Sequence, residues 1–446
     1  MGKIFGTDGV RGVAISELSI DLAVNIGRAA AQVLAPDGGK ILIGKDTRIS
    51  SSCLESALAA GISSCGVDVV LIGVAPTPSV AYLTKFGKFN AGIVISASHN
   101  SFEFNGIKIF NSEGFKISEE IQNKIEDLII NKTDKKIDHD KVGSIRYDDK
   151  YIKEYIKYLR KLIKFTNMRV VFDCANGASS FCAGKVFKGI LNCEYLNISP
   201  DGTNINKNCG STSLEALSDY VISNNFDLGI AFDGDADRCL AIDKNGEIID
   251  GDHIIASIAL DMQKKSSNFN NTVVGTLMSN MGFENFLMNN GIKLIRSKIG
   301  DRFVAEDMKK NGSIIGGEQS GHIIFFDHST TGDAILSAIM LLNLVYKLGD
   351  SSLISKLFNQ YPQFTKNIKI DDDIQEKEEY KSFVKNLESI MSDDGRVLIR
   401  KSGTEPVLRI MCESRNSRNL QLAEDEIMKF ESLIRNGEKV GCKSNS

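Results

Sequence analysis

Three short stretches of this 446-residue chain follow one pattern, an apolar run that ends in a loop of small polar residues. They are GIVISASHN (residues 92–100), GIAFDGDAD (229–237) and SIIGGEQSG (313–321). Apolar runs of this length, bounded by Gly, Ser and Asp, predict strands that open into loops at their carboxyl ends. Ligands of α/β sheets gather outside those ends. The repetition therefore predicts three comparable α/β domains whose loops face a shared cleft.

Further candidate strands are 40–44, 67–73, 169–172, 272–275 and 396–399, with 91–95, 228–232 and 313–315 leading into the three loops. Longer amphipathic segments separate them, as α/β domains require. In residues 151–164, Ile152, Tyr155, Ile156, Leu159, Leu162 and Ile163 recur at helical spacing among lysines, which predicts a packed helix with a solvated basic face. The polar stretch 132–150 marks one boundary, and weaker breaks fall near residues 250 and 360–365. The expected domains are 1–150, with a serine loop; 151–250, with a carboxylate loop; 251–365, with the third loop; and 366–446.

A net charge of −4 argues against sequence-independent nucleic-acid binding, which needs clustered Lys and Arg. No apolar run is long enough to span a bilayer. The nine cysteines form no C-x-x-C pair and fit reduced thiols, so a cytoplasmic protein without nucleic-acid or membrane partners is expected.

The most specific local signal is DGDADR, residues 233–238. Asp233, Asp235 and Asp237 alternate after an apolar strand and form a hard-oxygen site for a divalent cation. An EF-hand begins in the same way but needs Gly at the sixth loop position and Glu at the twelfth, where this chain has Arg238 and Lys244. With few ligands and no carbonyl cage, Mg²⁺ is preferred over Ca²⁺. In SASHN (96–100), Ser98 needs a base or metal beside it to act as a nucleophile. The G-x-S-x-G elbow of hydrolases is absent. A phosphorylated serine fits better, since a cation would neutralise its charge.

Seven motifs occur in the order found in the α-D-phosphohexomutase superfamily, and the chain resembles that superfamily over nearly its whole length. They are FGTDGVRG (5–12), GKDTR (44–48), ISASHN (95–100), NGIK (105–108), DGDADR (233–238), GEQSGH (317–322) and RKSGTEP (400–406). The opening motif, PDGTNIN (200–206), Gln319 and KSGTEP further resemble the branch acting on glucosamine phosphates. The resemblance implies three related α/β domains with mixed sheets plus a smaller α+β C-terminal domain around a central cleft. It implies that Ser98 is the phosphoserine, and that Asp233, Asp235 and Asp237 hold Mg²⁺ with a phosphoserine oxygen as a further ligand. Glu318 and Ser320 would bind sugar hydroxyls. Arg400, Ser402, Gly403, Thr404 and Arg409 would clamp the phosphate that is not reacting. Arg11, Lys108, Arg238 and His322 would supply charge or acid–base function, and Lys108 could carry the hydroxyl proton if desolvation lowers its pKa. Three positions depart from the usual pattern: Ser101 stands for proline, Ser51 for glycine and Ser213 for histidine.

The expected reaction interconverts glucosamine 6-phosphate and glucosamine 1-phosphate through a 1,6-bisphosphate, with glucosamine or glucose 1,6-bisphosphate as intermediate or activator. A movable last domain would let the intermediate reorient. The resemblance also implies a bacterial role in making the precursor of UDP-N-acetylglucosamine, and a monomer or homodimer whose partner is a small phosphosugar. The alternatives on the same residues are a phosphoglucomutase or phosphomannomutase, a metal-dependent sugar phosphatase, and a non-catalytic sugar-phosphate-binding protein.

Overall fold

A computed structural model of the chain describes residues 4–6, 8–132, 137–164, 166–190, 192–265, 267–370, 374–392, 394–401 and 407–441, with side chains of the last helix as far as residue 434. It divides into two compact units. The first comprises Met1–Ser279 with Leu287–Leu357, and the second Asn280–Phe286 with Phe358–Ser446.

The first unit contains three sheets with one repeated wiring. In the first sheet, Lys40–Lys45 pairs in parallel with Asp68–Val74 on one side and Ala91–Ile95 on the other. Phe104–Asn111 then returns antiparallel to Ala91–Ile95. The second sheet repeats this order with Arg169–Asp173, Asn192–Leu196, Leu228–Phe232 and the antiparallel Cys239–Asp243. The third does so with Thr272–Thr276, Lys293–Ser297, Ile315–Gly317 and the antiparallel Ile323–Phe325. In each sheet the spatial order of these strands is second, first, third, fourth. The echo in the sequence is thus an echo of topology.

Every predicted loop joins the third strand to the fourth, so both of its ends are fixed in one sheet. Ala91–Ile95, Leu228–Phe232 and Cys239–Asp243 are buried along their whole length. Such strands, covered on both faces, give the loops a rigid floor. The strand expected at 313–315 lies at Ile315–Gly317 instead. Gly316 and Gly317 have no side chain to mark them as apolar, but their backbones pair with Ile324 and Ile323.

The first sheet gains two edge strands, Val10–Val13 and Ile145–Tyr147. The latter lies inside the polar stretch 132–150, of which residues 133–136 fall outside the described residues. The basic helix runs over Lys150–Lys161 and buries Tyr155, Ile156 and Leu159 as its periodicity predicts. Among the described residues no helix is long and apolar enough to cross a membrane.

The second unit is an antiparallel sheet of three strands, with Val407–Ser414 between Gln363–Lys369 and Gly395–Lys401. The helices Glu378–Met391 and Ser417–Gly441 cover it, with Phe383 stacked on Phe430 at 4.0 Å between ring centres. This is the small α+β domain expected at the C-terminus.

Candidate active site

The serine loop and the carboxylate loop meet directly. Ser98 is buried, with φ of +52° in the left-handed region, and its Oγ donates to Asp233 Oδ2 at 2.6 Å. The carboxylate loop turns through Ala236, also left-handed at φ +57°. That turn brings the N–H groups of Asp237 and Arg238 onto Asp233 Oδ1, each at 3.1 Å. The other oxygen of Asp233 is left for the serine. Gly234 has to lack a side chain, because a Cβ there would lie 2.6 Å from the Ser98 carbonyl oxygen.

Asp233, Asp235 and Asp237 are all buried, and one oxygen from each lies within 4.8 Å of the others. Lys108 Nζ, itself buried, donates to Asp235 at 2.8 Å and Asp237 at 3.2 Å, with Asp8 at 3.5 Å. Thr77 fixes Asp235 from behind. Its Oγ1 donates to Asp235 Oδ2 at 2.6 Å and its N–H to the Asp235 carbonyl at 2.9 Å. Burial raises the Asp233 pKa well above the carboxylate range, and the charges of Asp237 and Asp235 push it further. Burial acts in the same sense on Asp237, but Lys108, His322 and Arg238 outweigh it and hold that carboxyl low. Among the described residues, the buried Asp235 Oδ1 and Asp237 Oδ1 accept no hydrogen bond. Crowded carboxylates with spare oxygens fit a divalent cation.

The expectation that desolvation lowers the Lys108 pKa is corrected here. Desolvation does oppose the charge, but Asp235, Asp237 and Asp8 overcome it and raise the pKa well above that of a free lysine.

Around this centre lies a ring of cations organised by Asp8. It bonds Arg11 and Lys116, and those two with Lys108 lower its pKa against the effect of burial. Lys116 also pairs with Asp301 at 2.5 Å, and Asp301 lies 3.4 Å from His322 Nε2. His99 is pushed down to about 4 by burial and then by Arg238 and Arg11, so it is neutral near pH 7. Among the described residues, the buried Nε atoms of Arg11 and Arg238 and the Nδ1 atoms of His99 and His322 have no hydrogen-bond partner. Unfilled nitrogens in a positive setting suit an anionic ligand.

The third loop joins this assembly through backbone. Arg238 bridges His322, and the Cys239 N–H donates to the Gly321 carbonyl at 3.0 Å. Glu318 Oε2 accepts from Ser320 Oγ at 3.2 Å, and Oε1 accepts from the Gly300 N–H at 3.2 Å. Both side chains are half-buried. The structure thus brings Ser98, Lys108, Arg11, Arg238, His322 and the three aspartates into one cluster, with Glu318 and Ser320 on the adjoining loop.

In the second unit, Arg400 and Arg409 face each other across an antiparallel register. Desolvation and then the Arg409 charge lower the Arg400 pKa. Two adjacent guanidinium groups call for an anion. Ser402, Gly403 and Thr404 lie outside the described residues.

Four family models match the chain in order. They are the alpha/beta/alpha domains I, II and III of phosphoglucomutase/phosphomannomutase, at residues 2–136, 149–246 and 250–364, and the C-terminal domain of the same family at 366–430. The phosphoglucosamine mutase of Acetivibrio thermocellus is 45% identical over 444 residues, covering 96% of this chain and 98% of the relative. That of Caldicellulosiruptor bescii is 48% identical, covering 93% and 95%. The chain belongs to the phosphoglucosamine mutase family.

Solved structures share the fold of this chain at lower identity. A phosphoglucomutase/phosphomannomutase family protein from Burkholderia thailandensis has a TM-score of 0.83 at 23% identity, covering 98% of each chain. Aspergillus fumigatus N-acetylphosphoglucosamine mutase, in complex with GlcNAc-6P and magnesium, has a TM-score of 0.64 at 15% identity, covering 97% of this chain and 95% of that one.

Thr77, Asp8, Lys116 and Asp301 are site residues that the sequence motifs do not single out. Asp8 sits inside a quoted motif, FGTDGVRG, and an acid beside Arg11 was the available signal. Thr77 has no such signal, because it lies 158 positions from the carboxylate it holds.

Proposed function

We propose that this mutase interconverts glucosamine 6-phosphate and glucosamine 1-phosphate through phosphorylated Ser98. The contact of Ser98 Oγ with Asp233 at 2.6 Å carries the reading, because it puts a buried hydroxyl against a carboxylate cluster suited to a metal. Magnesium held by Asp233, Asp235 and Asp237 would neutralise charge on the serine phosphoryl group.

In the first half-reaction the bond between Ser98 Oγ and phosphorus breaks, and a bond from phosphorus to the substrate O1 forms. The O1 proton leaves to a base, and Oγ departs as the alkoxide side of the broken ester. The 1,6-bisphosphate then reorients, Ser98 Oγ bonds to the phosphorus of the 6-phosphate as the O6–P bond breaks, and O6 takes up the proton that had left O1. Phosphoryl transfer depends mainly on alignment and charge neutralisation. Lys108, kept protonated by three carboxylates, with Arg11 and Arg238, supplies positive charge. His322 is the proton carrier in this scheme. Its ring lies against Gly332, where a Cβ would come within 2.5 Å of it, and the Gly332 N–H reaches its Nε2 at 3.3 Å. Glu318 and Ser320 would bind sugar hydroxyls, and Arg400 with Arg409 the phosphate that is not reacting. None of the eight cysteines among the described residues forms a disulfide, which fits a reducing compartment, and we place the activity in the cytoplasm.

Phosphosite mapping of the purified protein, combined with an isomer assay on glucosamine 6-phosphate, tests this reading. Ser98 should carry the phosphate, and Ser98→Ala should lose turnover. Full turnover in Ser98→Ala, or stoichiometric release of inorganic phosphate in place of the isomer, would overturn it.

A further inference from the structure

Two motifs, GKDTR (44–48) and PDGTNIN (200–206), have no part in the chemistry above, yet both end on the underside of the serine loop. Arg48 is buried, and its guanidinium fills four backbone carbonyls of that loop. Nη2 donates to Ser98 O at 2.9 Å and Asn100 O at 2.8 Å, and Nη1 donates to Phe104 O at 3.1 Å and to Ser101 O. Asn206 Nδ2 donates to the same Ser98 and Asn100 carbonyls, at 2.9 and 3.0 Å.

The brace has its own anchor. Buried Asp46 accepts from the Arg48 N–H and Nε, from Ser51 Oγ and from Ser96 Oγ, and Ser96 Oγ in turn accepts the Ser98 N–H at 2.9 Å. Thr47 Oγ1 reaches the Asn176 carbonyl at 2.6 Å, tying the motif to the neighbouring sheet.

We infer that Arg48 and Asn206 are positioning residues, which hold the Ser98 loop in the left-handed turn that aims Oγ at Asp233. This rests on the phosphoserine reading. The physical case has two parts. The Ser98, Asn100 and Ser101 carbonyls lie outside any strand and must be filled, and a planar guanidinium has enough fixed donors to fill them and the Phe104 carbonyl besides. A serine at positive φ does not keep that conformation unaided. The loop also lacks the usual proline after Asn100. The Ser101 carbonyl is bound by Arg48 instead, so the hold comes from a side chain 53 positions away.

The test uses the full chain and its Arg48→Lys and Asn206→Ala variants, with glucose 1,6-bisphosphate as phosphoryl donor. Phosphorylation of Ser98 is followed by intact mass in a single turnover, and kcat and KM for glucosamine 6-phosphate are measured alongside. The rate constant for Arg48→Lys should fall by about 10²-fold with kcat, the scale of a misplacement near 1 Å, while KM changes little. Asn206→Ala should lose about tenfold. A smaller folded fraction would lower the amplitude and leave the rate constant alone, so the rate constant separates positioning from plain stability. A wild-type rate constant in Arg48→Lys overturns the inference, and if that variant does not fold, a wild-type rate constant in Asn206→Ala does so. Wild-type protein that takes no phosphate on Ser98 would instead overturn the functional reading.

Discussion

The carboxylate loop and the third loop, the sugar loop of the proposed scheme, are built alike and finished differently. Each follows the third strand of its sheet and returns along an antiparallel fourth. In the carboxylate loop, Asp233 and Asp235 have no exposure and Asp237 only 5%, and each carboxylate is held by neighbours from other segments. In the sugar loop, Glu318 and Ser320 are half-buried and hold mainly each other and one backbone N–H. The difference matches two tasks. Charge stabilisation works only when its dipoles are set in advance. On the proposed role of Glu318 and Ser320, a surface that meets a hexose phosphate from either end gains from fewer fixed partners.

The strongest way to break this contrast is to disarm the rigid loop. Asp235→Asn should lower kcat by about 10³-fold, the upper range for removing one preorganised electrostatic group. Steady-state assays in both directions would show it, and a loss under tenfold would mean the cluster is not the reaction centre. Removing only its support should cost less. Thr77→Val deletes the hydroxyl behind Asp235 and should weaken magnesium binding by about 10- to 100-fold, read by titration calorimetry, with turnover recovering at high magnesium.

The softer loop should respond more mildly. Glu318→Gln keeps the shape and removes the charge, and kcat/KM should fall by about tenfold. A loss exceeding that of Asp235→Asn would reverse the comparison. The smallest effect is expected where the two loops share a support. Asp333 caps the helix Ala334–Leu348, whose first N–H donates to the Ala236 carbonyl, while Gly332 reaches His322. Burial pushes Asp333 up to about 6. A carboxyl raised on folding stabilises fully below its unfolded pKa near 3.8, and that contribution is lost as pH rises through about 6. Asn caps helices equally well, so Asp333→Asn should escape the loss and gain roughly 3 kcal/mol on the wild type between pH 4 and 7. Melting curves across that range should show the variant's midpoint pulling ahead by a few degrees, with activity nearly unchanged.

Much of this was legible in the amino-acid order, for a physical reason. Ser98 and the three aspartates fall in contiguous motifs because a tight loop can only present neighbouring residues. Lys108 and His322 sit at the ends of such motifs. The three parallel strands of the first sheet were visible as apolar runs, as were the first and third of the second sheet and the first of the third. Asn192–Leu196 and Lys293–Ser297 were not, because polar residues interrupt them, and Gly316 and Gly317 hid part of another. All three return strands were missed because they follow directly on the polar loops, and Ile323–Phe325 has only three residues. Thr77, Lys116 and Asn206 stayed hidden because they act through contacts over a hundred positions away. The fourth-domain residues 402–406 were read from sequence as a phosphate loop and fall outside the described structure.

A turn whose two ends are stitched into adjacent strands behaves as a cartridge. Its contents can change while the frame that receives it stays still. The first unit carries three such cartridges, and the bond from the Cys239 N–H to the Gly321 carbonyl joins the third to the second, so a change at 318 or 320 alters side chains while that shared backbone seam stays in place. Changes of sugar preference in this architecture should therefore come from small substitutions there, long before any strand is disturbed.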